Sequence, residues 1–124
     1  MTDPLSRRER EILDLLYRLK EASAKEVQAA MDEPPSYSAV RALLRVMGEK
    51  GLVKHHQDGA RYVYRAAQST AKAKRNAVRR VLDVFFDNSV EEAVATLLEV
   101  SDSRLDDQEL KRIKALIRQA KENE

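Results

Sequence analysis

Arg41 and Arg45 stand four positions apart, just after the run Ser36-Tyr37-Ser38. On a helix that spacing puts two guanidinium groups on one face, a turn apart. A guanidinium is a planar fork of donors that can bond guanine bidentately in a major groove or clamp a phosphate. Serine hydroxyls at the start of such a helix can take either role. A third basic position, Arg61, follows the short polar break Asp58-Gly59-Ala60. A tight loop at Gly59 would let backbone approach a phosphate, with Arg61 supplying charge. Contact with a polyanion is the chemistry on offer, although two arginines alone would equally suit a solvated helix face.

The distribution of charge adds weight to the first reading. The 124-residue chain carries a net charge of only +2. Between Pro34 and Arg80, however, Arg41, Arg45, Lys50, Lys54, Arg61, Arg65, Lys72, Lys74, Arg75, Arg79 and Arg80 are opposed only by Glu49 and Asp58. Both flanks are net acidic. A basic centre of this kind is the electrostatic footprint of a polyanion-binding surface.

Other chemistries find little support. No cysteine is present, which rules out disulfides, thiolate nucleophiles and thiolate metal sites. The two histidines, His55 and His56, are adjacent, and neighbours on a strand point to opposite faces. They cannot easily share a metal or a reaction centre. There is no glycine-rich phosphate loop and no serine–histidine–acid set, so we expect no catalytic residues, no metal site and no cofactor. No apolar run approaches the roughly 18 residues of a membrane span. Met1 to Arg10 has no hydrophobic signal region. The expected location is the cytoplasm.

The elements that must position the basic residues are readable from their ends. Four pairs, Ser6/Glu9, Ser23/Glu26, Ser89/Glu92 and Asp106/Glu109, have the spacing of a helix capping box. The first predicts a helix over about Arg7–Lys20, with Ile12, Leu13, Leu16 and Leu19 inward and Leu15 at the edge. The second predicts a short helix over Ala24–Met31, with Val27, Ala30 and Met31 inward. Pro34 and Pro35 stop it. Ser36 is the expected N-cap of a third helix over Tyr37–Lys50, with Val40, Leu43, Leu44 and Met47 inward and Gly51 as its stop. Ser38, Arg41, Ala42 and Arg45 then face outward.

Beyond Gly51 the period shortens to two. Leu52–Gln57 and Arg61–Arg65 read as strands joined by the hairpin signal Asp58-Gly59-Ala60. Tyr62 and Tyr64 share one strand face and are expected to pack rather than stack on bases. Residues 66–73 read as a connection rich in small side chains, with a helical start within it as the alternative. Helices follow up to Phe86, over Val90–Val100 and over Asp107–Lys121, with a break at Asp87-Asn88.

Three helices and then a hairpin is the winged helix order, whose third helix lies in the major groove. The expected fold is therefore mainly α. A winged helix-turn-helix over residues 1–66 precedes a three-helix dimerisation segment over residues 67–124. That segment carries an apolar stripe, with Val81, Leu82, Phe85, Leu97, Leu98, Ile113, Leu116 and Ile117, too large to bury against so small a winged helix. An intramolecular bundle of these helices is one way to cover it; a second copy is the expected one, since helix-turn-helix proteins usually bind two half-sites as dimers. The expected DNA-binding residues are Ser36, Tyr37, Ser38, Arg41, Arg45, Gly59 and Arg61. A winged helix that binds protein or RNA is the alternative, but an interaction module would tend to place apolar residues on the outward face of the third helix.

The sequence also resembles the penicillinase-repressor (BlaI/MecI) family, which includes copper-responsive repressors. The likeness runs through Arg10–Leu16, Ser36–Leu44 and Lys50–Val53, and is closest over the wing, His55–Tyr64. It implies a homodimeric repressor whose third helix reads a palindromic operator and whose C-terminal helices interlock. Several positions depart from the family pattern. Ser38, Ala39 and Ala42 stand where the family often has threonine, and Val46 where it often has arginine. The operator therefore does not carry over. Thr96-Leu97 occupies the place of the Asn-Phe bond that is cleaved in beta-lactam-responsive members. The C-terminal cysteines of copper-responsive members are absent. The resemblance implies repression and leaves the inducing signal open.

Overall fold

A computed structural model describes residues 5–101 and 105–123. The first four residues of the N-terminal stretch lie outside the described residues. The elements in chain order are α1 (Arg7–Leu19), β1 (Ala22–Ser23), α2 (Ala24–Ala30), α3 (Tyr37–Glu49), β2 (Val53–Asp58), β3 (Arg61–Ala66), α4 (Thr70–Phe86), α5 (Val90–Val100) and α6 (Asp107–Glu122). The mainly helical winged helix-turn-helix order read from the sequence is the one observed. Packing divides the chain into two units, the first ending at Val78 and the second beginning at Arg79, so the division falls within α4.

Helix ends follow their caps. Ser6 Oγ accepts the Glu9 N–H at 3.1 Å, and Glu9 Oε1 accepts the Ser6 N–H at 3.0 Å, which closes the box that starts α1. Ser23 and Glu26 repeat it at 3.2 and 2.9 Å for α2. Ser89 caps α5 through the Glu92 N–H at 3.1 Å, and Asp106 caps α6 through the Glu109 N–H at 2.7 Å. Each such bond satisfies an amide that the first helical turn leaves unpaired. At the other end of α3, the Leu52 N–H reaches the Met47 carbonyl at 2.9 Å and the Gly51 N–H reaches the Gly48 carbonyl at 3.1 Å. That is a Schellman stop, and it needs the left-handed φ of 77° that Gly51 supplies.

The first unit closes around one core. Ile12 and Leu16 of α1, Val27 of α2, and Val40, Leu44 and Met47 of α3 are all but inaccessible. Val53, Val63 and Ala66 of the sheet are buried too. The buried arc of α1 differs from the expected stripe. Leu15 is buried rather than at the edge, while Leu19 is 43% exposed. β3 packs on α1 as α2 and α3 do, and this widens the covered arc to include Leu15. Leu19 is the last residue of its helix. Ala30, expected inward, is exposed, and Leu43 is half-buried. Met31 still enters the core, just past the end of α2.

The sheet has three antiparallel strands in the order β1-β3-β2. The hairpin pairs Val53 with Ala66 and Asp58 with Arg61, leaving Gly59-Ala60 as a two-residue turn. Gly59 has a φ of 65°, as the first position of a primed hairpin turn requires. The third strand, β1, has no counterpart among the expectations. Two residues, Ala22 and Ser23, pair with Tyr64 and Val63. A segment that short has no alternation to read; it becomes a strand because β3 lies beside it.

The second unit is helical, and its described residues form no comparable core. None of the residues of α5 or α6 is buried, and none of α4 is either. Asp87 and Asn88, at the expected break, both take positive φ, 48° and 62°. Among the described residues no helix is long and apolar enough to cross a membrane.

Candidate nucleic-acid interface

The direction of α3 is set by the turn before it, and a polar network holds that turn. Arg8 Nη1 donates to the Asp32 carbonyl at 2.9 Å, and Nη2 donates to the Glu33 carbonyl at 2.6 Å. The Asp32 N–H donates to Glu11 Oε2 at 2.8 Å, and Glu11 pairs with Arg8 at 3.0 Å. Gln28 Nε2 donates to the Pro35 carbonyl at 3.0 Å. Within this turn Glu33 takes a left-handed φ of 45°, which a residue with a Cβ adopts only when its surroundings impose it. The Asp32 amide, and after it the Arg8 guanidinium, hold the Glu11 carboxyl below its usual value against the opposing effect of burial. At the far end of α3, Lys50 Nζ reaches the buried Glu9 at 3.0 Å and so ties α3 to the start of α1.

With α3 fixed by its buried face, Ser38, Arg41, Ala42 and Arg45 are exposed, as their spacing predicted. Arg41 stands between two clefts. One is lined by Ser38, Arg41, Ala42 and Arg45 of α3 together with His55, Tyr62 and Tyr64 of the wing. The other is lined by Lys25 and Glu26 of α2, Tyr37 and Arg41 of α3, and Ala60 to Tyr62 of the wing. Thus the fold joins α3 to the wing in one surface. Gly59 lines neither of these clefts. Ser36 Oγ accepts the Ala39 N–H at 3.1 Å, so the hydroxyl is first of all a cap, with its own proton still free to donate.

Tyr37 sits between two cations. Lys25 Nζ and the Arg41 guanidinium each lie 5.7 Å from its ring centre. That is within the range of cation–π attraction, about 0.5–1 kcal/mol at an exposed site. The ring therefore helps to orient Arg41. Tyr64 is half-buried, and burial raises its phenol above the usual value. Tyr62, expected to pack, is 49% exposed, although its ring lies 4.7 Å from that of His55. His55 also meets Tyr64, at 5.5 Å, because positions 55, 62 and 64 share one face of the hairpin.

Arg61 is already engaged. Its Nη1 lies 3.4 Å from Glu26 Oε1, and its Nη2 lies 3.5 Å from Asp58 Oδ2. The Ser23 amide, then the Ser23 hydroxyl and Arg61, hold the Glu26 carboxyl below its usual value. Sequence reasoning finds Arg61 and misses its partners. It also misses Lys25 and His55. Lys25 sits two positions beyond an N-cap and has no periodic signal of its own. In the sequence His55 is weighed only as half of an adjacent histidine pair that does not suit a metal, and nothing there ties it to the two tyrosines.

A helix-turn-helix presented by a bonded turn, with a basic outward face and a hairpin wing beside it, defines a winged helix-turn-helix DNA-binding regulator. The chain belongs to the penicillinase-repressor family, whose model matches residues 5–119. Membership makes it a repressor of transcription rather than an enzyme. Among solved structures, M. tuberculosis Rv0081 is similar with a TM-score of 0.54 and 24% identity, over 67% of this chain and 82% of that one. A mutant of Lactococcus lactis ZitR is similar with a TM-score of 0.53 and 18% identity, over 98% of this chain and 76% of that one. Both likenesses concern the fold. No curated protein matches the chain.

Proposed function

We propose that this repressor acts as a homodimer on a palindromic operator. In this reading Ser38, Arg41 and Arg45 of α3 face base edges in the major groove, with Ser36 and Tyr37 at the helix start beside the phosphates. The wing, at Gly59 and Arg61, meets the duplex backbone. DNA binding resides in residues 1–66 and pairing in residues 67–124. The functional division thus leaves all of α4 to pairing, although the packing division falls later, at Val78. A cytoplasmic location follows from the same reading.

One observation carries the dimer. Phe85 is 75% exposed, and Leu97, Leu98, Leu116 and Ile117 are all exposed by more than half. Val81 is exposed as well, while Leu82 and Ile113 are only half-buried. Apolar side chains left in water on this scale favour association, at roughly 25 cal/mol for each Å² covered. A second copy offers the same stripes in a self-complementary arrangement. Two recognition helices related by a two-fold axis then require an inverted repeat.

Selection of bound DNA from a random pool tests this. Enrichment of an inverted repeat is the expected result. Enrichment of a single unpaired half-site would contradict the dimer, and enrichment of nothing would contradict specific readout.

A further inference from the structure

Of the side chains proposed to meet DNA, Arg61 is the one held by carboxylates in the free protein. Glu26 reaches it from α2, thirty-five positions earlier, at 3.4 Å, and Asp58 reaches it across the hairpin turn at 3.5 Å. Both acids and the arginine are more than half exposed. The geometry points to Glu26 as a residue that restrains the wing: its carboxylate takes the place on Arg61 that a DNA phosphate would take. This rests on the reading of the wing as a site that meets the DNA backbone.

The arrangement follows from the α2 cap. Glu26 Oε1 accepts the Ser23 N–H at 2.9 Å, so the capping box fixes the carboxylate beside the cleft. The guanidinium forks between that oxygen and Asp58. A phosphate offers the same partner, a pair of anionic oxygens, so the two compete for one fork of donors. Exposed ion pairs are weak, so Glu26 does not block the wing; it lowers backbone affinity by up to about five-fold for each bound copy of the chain. Glu26 acts only through Arg61 and is a positioning residue, with no base to read.

Glu26→Gln keeps an oxygen for the Ser23 amide while removing the charge, and glutamine is accepted at this position of a capping box. Binding to random-sequence duplex at fixed salt, with wild type, Glu26→Gln, Arg61→Ala and the double variant, separates the alternatives. Glu26→Gln should bind about two- to five-fold more tightly per copy, although the first turn of α2 loses a stabilising charge and the melting temperature falls slightly, and this gain should vanish in the Arg61→Ala background. Asp58→Asn leaves the α2 cap untouched and should give a smaller gain with the same dependence on Arg61. Equal gains with and without Arg61 would mean that Glu26 merely repels DNA, which overturns the inference. Absence of a gain from Glu26→Gln overturns it as well, whatever Asp58→Asn does. An Arg61→Ala variant that binds as wild type would overturn the wing reading itself, and the inference with it.

Discussion

α1 to α3 and α4 to α6 are built by the same local rules and reach opposite outcomes. Both sets begin at Ser or Asp caps, and both carry apolar residues at helical spacing. In the first set the stripe is closed: Ile12, Leu16, Val27, Val40, Leu44 and Met47 are almost wholly shielded from water. In the second set no described residue is buried. Amphipathic spacing says that a face will be covered, and is silent on what covers it. The first three helices have each other and a sheet. The last three await, in our reading, a second copy of the chain.

The comparison can be broken most forcefully from the core side. Leu44 is wholly buried, so Leu44→Ala should cost about 2–5 kcal/mol of folding stability, through the apolar burial it removes and the cavity it leaves. Denaturant melts would measure this cost. A value below about 1 kcal/mol would show that α3 is not seated as described.

A smaller effect separates α3 from the wing. Arg41→Ala should cost about 1–3 kcal/mol per half-site on the operator and much less on random DNA. Arg61→Ala should weaken both DNAs alike and lower the salt slope by about one unit for each phosphate that Arg61 no longer neutralises. Paired titrations across a salt series test the two together. Equal weakening on both DNAs from Arg41→Ala would remove its base-reading role.

Comparable in size, and specific to the first unit, is the link between Glu9 and Lys50. The Ser6 amide first, and then the Lys50 ammonium, hold the Glu9 carboxyl below its usual value, while burial opposes them. A carboxyl depressed on folding stabilises the fold above its unfolded value, near 4.5, and that contribution fades as pH falls through the lower folded value. Stability should therefore fall in acid below about pH 4.5. Glu9→Ala should already be weaker at neutral pH, by about 1–3 kcal/mol, with a shallower further decline in acid. Melts that stay parallel to wild type down to acid pH would show that Glu9 is not the group involved.

What can be read from the sequence divides by distance along the chain. The caps at Ser6, Ser23, Ser89 and Asp106 join residues three apart, and all four are legible. So are the hairpin turn at Gly59 and the stop at Gly51, since each needs a residue that tolerates positive φ. Bonds across the fold are not legible: Arg8 to the α2–α3 turn, Glu9 to Lys50, and Glu26 to Arg61 are separated by 24, 41 and 35 positions. Charged residues are common on any helix surface, and only tertiary approach selects which of them meet. The strand β1 escapes notice for the same reason. The outward face of α3 can be read because burial of Val40, Leu44 and Met47 leaves no other face for Arg41 and Arg45.

The central claim, that the exposed stripe of α4 to α6 is a pairing surface, meets its most direct test in the mass of the protein in solution. Light scattering at micromolar concentration, without DNA, should give twice the 14.2 kDa of the chain. The replacement of Leu98 and Leu116 by serine should shift that mass toward a single chain and leave the melting of the first unit unchanged. A wild-type protein that holds the mass of one chain at that concentration would contradict the account.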